Sequence, residues 1–175
     1  MHQILSFSEI PEQGIQYEIT GISWFPDEQV QRKGPVVASL YLARKGENKI
    51  EVRGGIETQI ILSCDRCLAE FVYTINTPFQ LIFEVSSPGE HWHVQDLESG
   101  RAEIETVLLD EPRIDVGDIL RQQVLLALPE KLLCGPECKG LCSKCGVNLN
   151  EGKCSCPREG KNTPFSILEQ LKKNR

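Results

Sequence analysis

Long apolar runs are missing from this chain. No stretch approaches the ~18 consecutive apolar residues that a membrane-spanning helix needs, so no membrane role is expected. The N-terminal MHQILSFSEIPEQG has no basic residues ahead of its apolar ones, and Ser and Glu interrupt them. It does not read as an export signal. Aromatic residues make up only 6% of the 175 and do not interleave with basic residues, which argues against a base-stacking platform for nucleic acid. No internal repeat is visible. The expected compartment is the cytoplasm, where thiols stay reduced.

Cysteine, by contrast, is plentiful: there are eight. Disulfides would require export. Metal ligation is the next explanation for so many thiols in a reducing compartment. The rest of the composition is that of a folded protein, with 40% hydrophobic residues and a length suited to one medium domain or a domain with a small appendage.

The net charge of −6 is unevenly spread. Residues 1–83 carry 7 basic and 10 acidic side chains, residues 84–118 carry 2 and 10, and residues 119–175 carry 10 and 5. Nucleic-acid contact, if present, is expected near the C-terminus, and a basic partner would suit the acidic 84–118 segment.

The first part patterns as β structure. Residues 15–22 alternate loosely, and Val36 to Leu42 forms a short apolar run consistent with a buried strand. Ile56, Thr58, Ile60 and Leu62 share one face, with Glu57 and Gln59 opposite. Phe71, Tyr73 and Ile75 repeat the pattern on a later strand, and Phe79, Leu81, Phe83 and Val85 do so again. Gly54-Gly55 suggests a bulge or bend. Cys64-Asp-Arg-Cys67 falls between two strands, at the tip of a predicted hairpin.

Residues 86–113 read as a polar loop with one strand near Ile104 to Leu109. His91 and His93 flank Trp92 there, and two histidines at that spacing more often occupy a solvated loop than a metal site. Asp115 to Leu128 reads as a helix capped by Asp115, with Val116, Leu120, Val124 and Ala127 on one stripe. Pro129 ends it. Residues 134–157 have no hydrophobic period and too little apolar bulk for a core, so something else must order them. Thr163-Pro164 opens a short helix whose Phe165, Leu168 and Leu171 share a face.

The expected fold is α+β: a mainly antiparallel β-domain with an acidic loop and one packed helix over 1–128, then a cysteine-rich, zinc-held tail and a short C-terminal helix over 129–175. The cysteines form four pairs, Cys64/Cys67, Cys134/Cys138, Cys142/Cys145 and Cys154/Cys156, enough for one or two structural Zn2+ ions. A short turn can present two sulfurs to one ion about 2.3 Å from each. Chain proximity favours Cys142, Cys145, Cys154 and Cys156 as one site, with Cys64, Cys67, Cys134 and Cys138 as the other. A single site of Cys138, Cys142, Cys145 and Cys156 is the alternative, since one residue between Cys154 and Cys156 is tight. An iron–sulfur cluster could use the same thiolates, but the lysine-rich surroundings give no sign of a sheltered redox centre. A thioredoxin-like CxxC would sit in a βαβ context, not a hairpin.

The run from Ile114, IDVGDILRQQVLLALPEKLLCGPECKGLCSKCGVNLNEGKCSCP, with NTPFSILEQLKK after it, resembles the YceD-like family of bacterial and plastid proteins. So does LSCDRCLAEF, Leu62 to Phe71. The family's name describes large ribosomal RNA subunit accumulation. The resemblance implies a role in 23S rRNA accumulation or processing and in large-subunit assembly. The expected function is that of a non-enzymatic accessory factor, with rRNA, a large-subunit precursor or a ribosomal protein as partner and no small-molecule substrate. No catalytic residue is implied. The cysteine set, Lys139 and Asn148 correspond by position. Lys139, Lys144, Lys153, Arg158 and Lys161 are the candidate phosphate contacts; the plainer role for them is to keep a small tail soluble. A protein-binding module using the 84–118 segment is the alternative function.

Overall fold

The computed structural model describes residues 4–19, 21–85 and 105–156. The chain divides into two compact units: Met1–Ser63 with Glu70–Leu132, and Cys64–Ala69 with Leu133–Arg175. His91, Trp92, His93, Arg158, Lys161 and the helix expected after Thr163 lie outside the described residues.

The first unit is built on a mixed, mostly antiparallel sheet. Its strands are β1 (Ile4–Ser6), β2 (Ile15–Tyr17), β3 (Gln31–Arg32), β4 (Val37–Arg44), β5 (Lys49–Ser63), β6 (Glu70–Val85), β7 (Glu105–Leu109) and β8 (Arg113–Asp115), followed by helix α1 (Val116–Leu126). The main sheet runs β2-β4-β5-β6-β7, with β3 beside the far end of β5, while β1 and β8 form a separate pair. Of the main sheet's pairings only β6–β7 is parallel, and the strand expected near Ile104 is β7.

Side-chain alternation decides which face packs. On β5, Ile50, Val52, Ile56, Thr58, Ile60 and Leu62 are all buried, while Arg53, Glu57 and Gln59 are exposed. Thr58 sits in this apolar row because its hydroxyl donates to the Pro35 carbonyl at 3.2 Å. Leu40 and Leu42 of β4 and Ile75, Leu81 and Phe83 of β6 complete the row across the sheet, and α1 covers it with Val116, Ile119, Leu120 and Val124. Asp115 caps α1, its Oδ1 accepting the N–H groups of Gly117 at 2.9 Å and Asp118 at 3.3 Å.

Four expectations are corrected. Among the described residues of the alternating 15–22 segment, Ile15–Tyr17 alone forms a strand. The 36–42 run is not fully buried: Leu40 and Leu42 point into the core, but Val37 is 62% exposed. The two strands expected over 71–85 are one, because the inward odd-numbered residues continue in step from Ile75 through Thr77 to Phe79, with Pro78 on the exposed face. Gly54-Gly55 makes no bulge, since β5 keeps one register with β4 and with β6 along its paired lengths. Gly54 provides clearance instead: a Cβ there would lie 2.6 Å from the Ser39 carbonyl oxygen and 2.7 Å from the Phe79 ring.

Candidate metal centre

The second unit joins the turn between β5 and β6 to the cysteine-rich stretch after Leu132. Cys64 to Ala69 forms a tight knuckle: the Leu68 N–H donates to the Cys64 carbonyl at 2.9 Å, and the Cys64 N–H to the Ala69 carbonyl at 2.9 Å. Cys142 to Val147 repeats it, with Gly146 N–H to the Cys142 carbonyl and Cys142 N–H to the Val147 carbonyl, both 2.9 Å. Each knuckle needs a left-handed residue after its second cysteine. Gly146 supplies φ +74 freely, whereas Leu68 adopts φ +60 at a steric cost.

These knuckles bring the eight cysteines into two quartets, Cys64, Cys67, Cys134 and Cys138, and Cys142, Cys145, Cys154 and Cys156. Within each, all sulfurs lie within 4.8 Å of one another. Cys138 stands with Cys64, so the alternative set of Cys138 with Cys142, Cys145 and Cys156 is not formed. The separations are 3.7 Å for Cys64 and Cys138, 3.6 Å for Cys67 and Cys134, and 3.4 Å for Cys142 and Cys154. A tetrahedral ion with bonds of about 2.3 Å separates its sulfurs by about 3.8 Å, so both quartets fit one ion each. All eight cysteines are free. In the first quartet all but Cys134 are buried; the second is more open, with Cys145 exposed.

The electrostatics also suit a cation. The backbone N–H of Cys134, with those of Cys67 and Arg66, pulls the Cys64 thiol down to about 6 against the opposing effect of burial. The Cys138 and Cys67 sulfurs, with burial, push Cys134 up to about 12. In the second quartet the N–H groups of Cys145 and Lys144 bring Cys142 down to about 6, while Cys145, burial and Cys142 raise Cys156 to about 12. Each quartet therefore mixes thiols that ionise readily with thiols that hold their protons, because thiolates packed together repel. A bound cation removes that repulsion and displaces the remaining protons.

Residues around the quartets lock the unit. Arg66, between the first two cysteines, donates from Nη1 to the Cys138 carbonyl at 3.0 Å, and its own carbonyl accepts the Leu141 N–H at 3.1 Å. Gly140 has φ +72, and a Cβ on it would stand 3.0 Å from the Arg66 oxygen. Asn150 donates from Nδ2 to Cys138 Sγ at 3.3 Å. Arg66, Gly140 and Asn150 carry no sequence signal of a site role beyond their placement among the cysteines. Lys139, Lys144 and Lys153 are exposed on this unit. Asn148 ties the second knuckle's exit, donating from Nδ2 to Glu151 at 2.8 Å.

The family model described as "Large ribosomal RNA subunit accumulation protein YceD" matches residues 52–172, which include both quartets. The chain belongs to the YceD family. It is 32% identical over 158 residues to the chloroplastic large ribosomal RNA subunit accumulation protein YCED homolog 1 of Arabidopsis thaliana, covering 79% of this chain and 49% of that protein. The Zea mays protein of the same name is 26% identical over 147 residues, covering 72% and 50% respectively. An uncharacterized Mycobacterium bovis protein is 31% identical over 98 residues, covering 56% and 44%. This YceD-family chain thus spans about half the length of the curated relatives it matches. No solved structure matches it. Among the described residues, no helix is long and apolar enough to cross a membrane.

Proposed function

We propose that this chain is a non-enzymatic accessory factor for 23S rRNA accumulation or processing and large-subunit assembly, acting in the cytoplasm, with one structural Zn2+ in each cysteine quartet. The observation that carries the proposal is the family match, named for large ribosomal RNA subunit accumulation and spanning both quartets. Zinc suits the donor set: four thiolates, tetrahedral spacing and no open position for chemistry. A multi-iron cluster would spread its cysteines over several metal atoms, whereas sulfurs within 4.8 Å of one another suit a single ion.

Metal order would turn a stretch without a hydrophobic core into a rigid surface. Lys139, Lys144 and Lys153 stand on that surface, and Arg158 and Lys161 follow in sequence. Basic side chains on a fixed backbone can hold phosphates without reading bases. The second reading is a protein-binding module: ten acidic against two basic residues over 84–118 would suit a basic ribosomal protein or assembly factor.

UV crosslinking of the tagged protein in cells, with sequencing of the recovered RNA, separates the two. A discrete 23S rRNA segment is expected, lost when Cys142→Ser and Cys145→Ser are combined. Recovery of no RNA above background would overturn the rRNA reading and favour the acidic segment.

A further inference from the structure

The loop that closes the second quartet reaches a sulfur of the first. Asn150 lies between Cys145 and Cys154 in sequence, yet its Nδ2 is 3.3 Å from Cys138 Sγ. Its Oδ1 accepts the backbone N–H of Lys139 at 2.8 Å, one residue beyond that cysteine. The amide orientation follows from its neighbours. A backbone N–H requires an acceptor and a thiolate requires a donor, so only one of the two flip states satisfies both. The second Nδ2 hydrogen is also used, because Nδ2 lies 2.9 Å from Asn148 Oδ1, which accepts the Asn150 backbone N–H at 3.0 Å as well. The Leu149 N–H donates to the Gly140 carbonyl at 2.9 Å, and the Glu151 and Gly152 N–H groups point to the Asn148 carbonyl at 3.2 and 3.1 Å.

This loop has little apolar anchorage: Asn150, Glu151, Gly152 and Lys153 are all exposed. Its two ends run into Cys145 and Cys154, both members of the second quartet. An ion in that quartet would fix both ends, and with them the aim of the Asn150 amide.

We propose that Asn150 couples the two metal centres: metal in the Cys142, Cys145, Cys154 and Cys156 quartet holds the Asn150 N–H against Cys138 and so tightens the hold of the Cys64, Cys67, Cys134 and Cys138 quartet on its own ion. Asn150 is a positioning residue here, not a ligand. The inference rests on the reading that both quartets bind metal. Coupling of this kind is reciprocal, so emptying either centre loosens the other. Its consequence is joint loading, with the tail either fully metallated or weakly held.

The test uses the full chain loaded with cadmium, whose NMR spectrum gives a separate resonance for each centre, and chelator competition for the affinity of each. Asn150→Ala is expected to weaken the first centre about tenfold, in line with the effect of outer-shell partners on metal affinity. It should move that centre's resonance and leave the other in place. Asn150→Asp keeps an acceptor for the Lys139 N–H but sets an anion against the thiolate, so it should weaken the first centre at least as much as Asn150→Ala. Combining Cys142→Ser with Cys145→Ser should weaken the first centre by a similar factor, and adding Asn150→Ala should weaken it no further. A wild-type chain that takes up no metal would overturn the metal reading itself. Two loaded centres with Asn150→Asp matching wild type would overturn the sulfur-directed role of Asn150. A first centre weakened by Asn150→Ala but indifferent to the paired serine variant would overturn the coupling.

Discussion

Leu68 and Gly146 do the same job with different means. Both follow the second cysteine of a knuckle and both hold positive φ, at +60 and +74. Leucine in that conformation is strained, and its side chain is 68% exposed, so packing returns little. Leu68→Gly is expected to tighten the first centre by up to about 1 kcal/mol, after deducting the entropy an unfolded glycine adds. Gly140→Ala should act the other way, costing roughly 1–2 kcal/mol through its φ of +72 and the contact with the Arg66 oxygen. Metal retention against a chelator reads both. Protonation gives a further check. Cys64 and Cys142 sit at about 6 while Cys134 and Cys156 are held near 12. Loading must therefore expel protons at neutral pH. Affinity should fall as pH falls, and proton release on titrating metal into the reduced chain in weak buffer should report it. Affinity independent of pH between 6 and 8 would contradict thiolate ligation.

At the scale of elements, the long β5–β6 hairpin depends on small clearances and one polar cluster. Gly54→Ala should destabilise the first unit by about 2 kcal/mol, because backbone and the Phe79 ring both stand in the way of the added carbon. Asp115→Ala should cost about 1 kcal/mol through the lost cap of α1, and thermal melts would measure both variants. Glu51, buried on the sheet face opposite the core, meets Arg53 at 2.6 Å, Lys45 at 3.4 Å and the Gln80 amide. Burial opposes its charge, but the Arg53 hydrogen bond and charge prevail and hold its pKa below the usual carboxylate range. That contribution is complete above the unfolded carboxylate pKa and is lost as pH falls through the lowered one. Glu51→Gln should therefore reduce stability at pH 7 and flatten its loss under acid. The strand faces, the Asp115 cap and the helix stripe were legible in sequence because burial writes a period of two or 3.6 into residue type. The continuity of β6 and the unbroken register of β5 were not. Pro78 and Gly54-Gly55 carry local meanings, break and bulge, that the neighbouring strands override.

For the whole molecule, the proposed metal would be the ordering force that the tail's composition lacks. Residues 134–156 hold six of the eight cysteines, and the eight make two quartets. Pair spacing made the cysteine sets visible in sequence, whereas their closure through Arg66, Gly140 and Asn150 depends on contacts that Arg66 makes with residues 72 or more positions away. Stripping metal should expose the stretch from Cys134 to Cys156 to protease and leave the sheet and α1 folded, since the first unit has its own core. The most direct measurement is native mass spectrometry of the purified, reduced full chain, with elemental analysis of the bound metal. Two zinc ions per chain are expected, falling to one when Cys142 and Cys145 are both changed to serine. A chain that carries no metal, or carries iron with inorganic sulfide, would contradict two structural zinc centres.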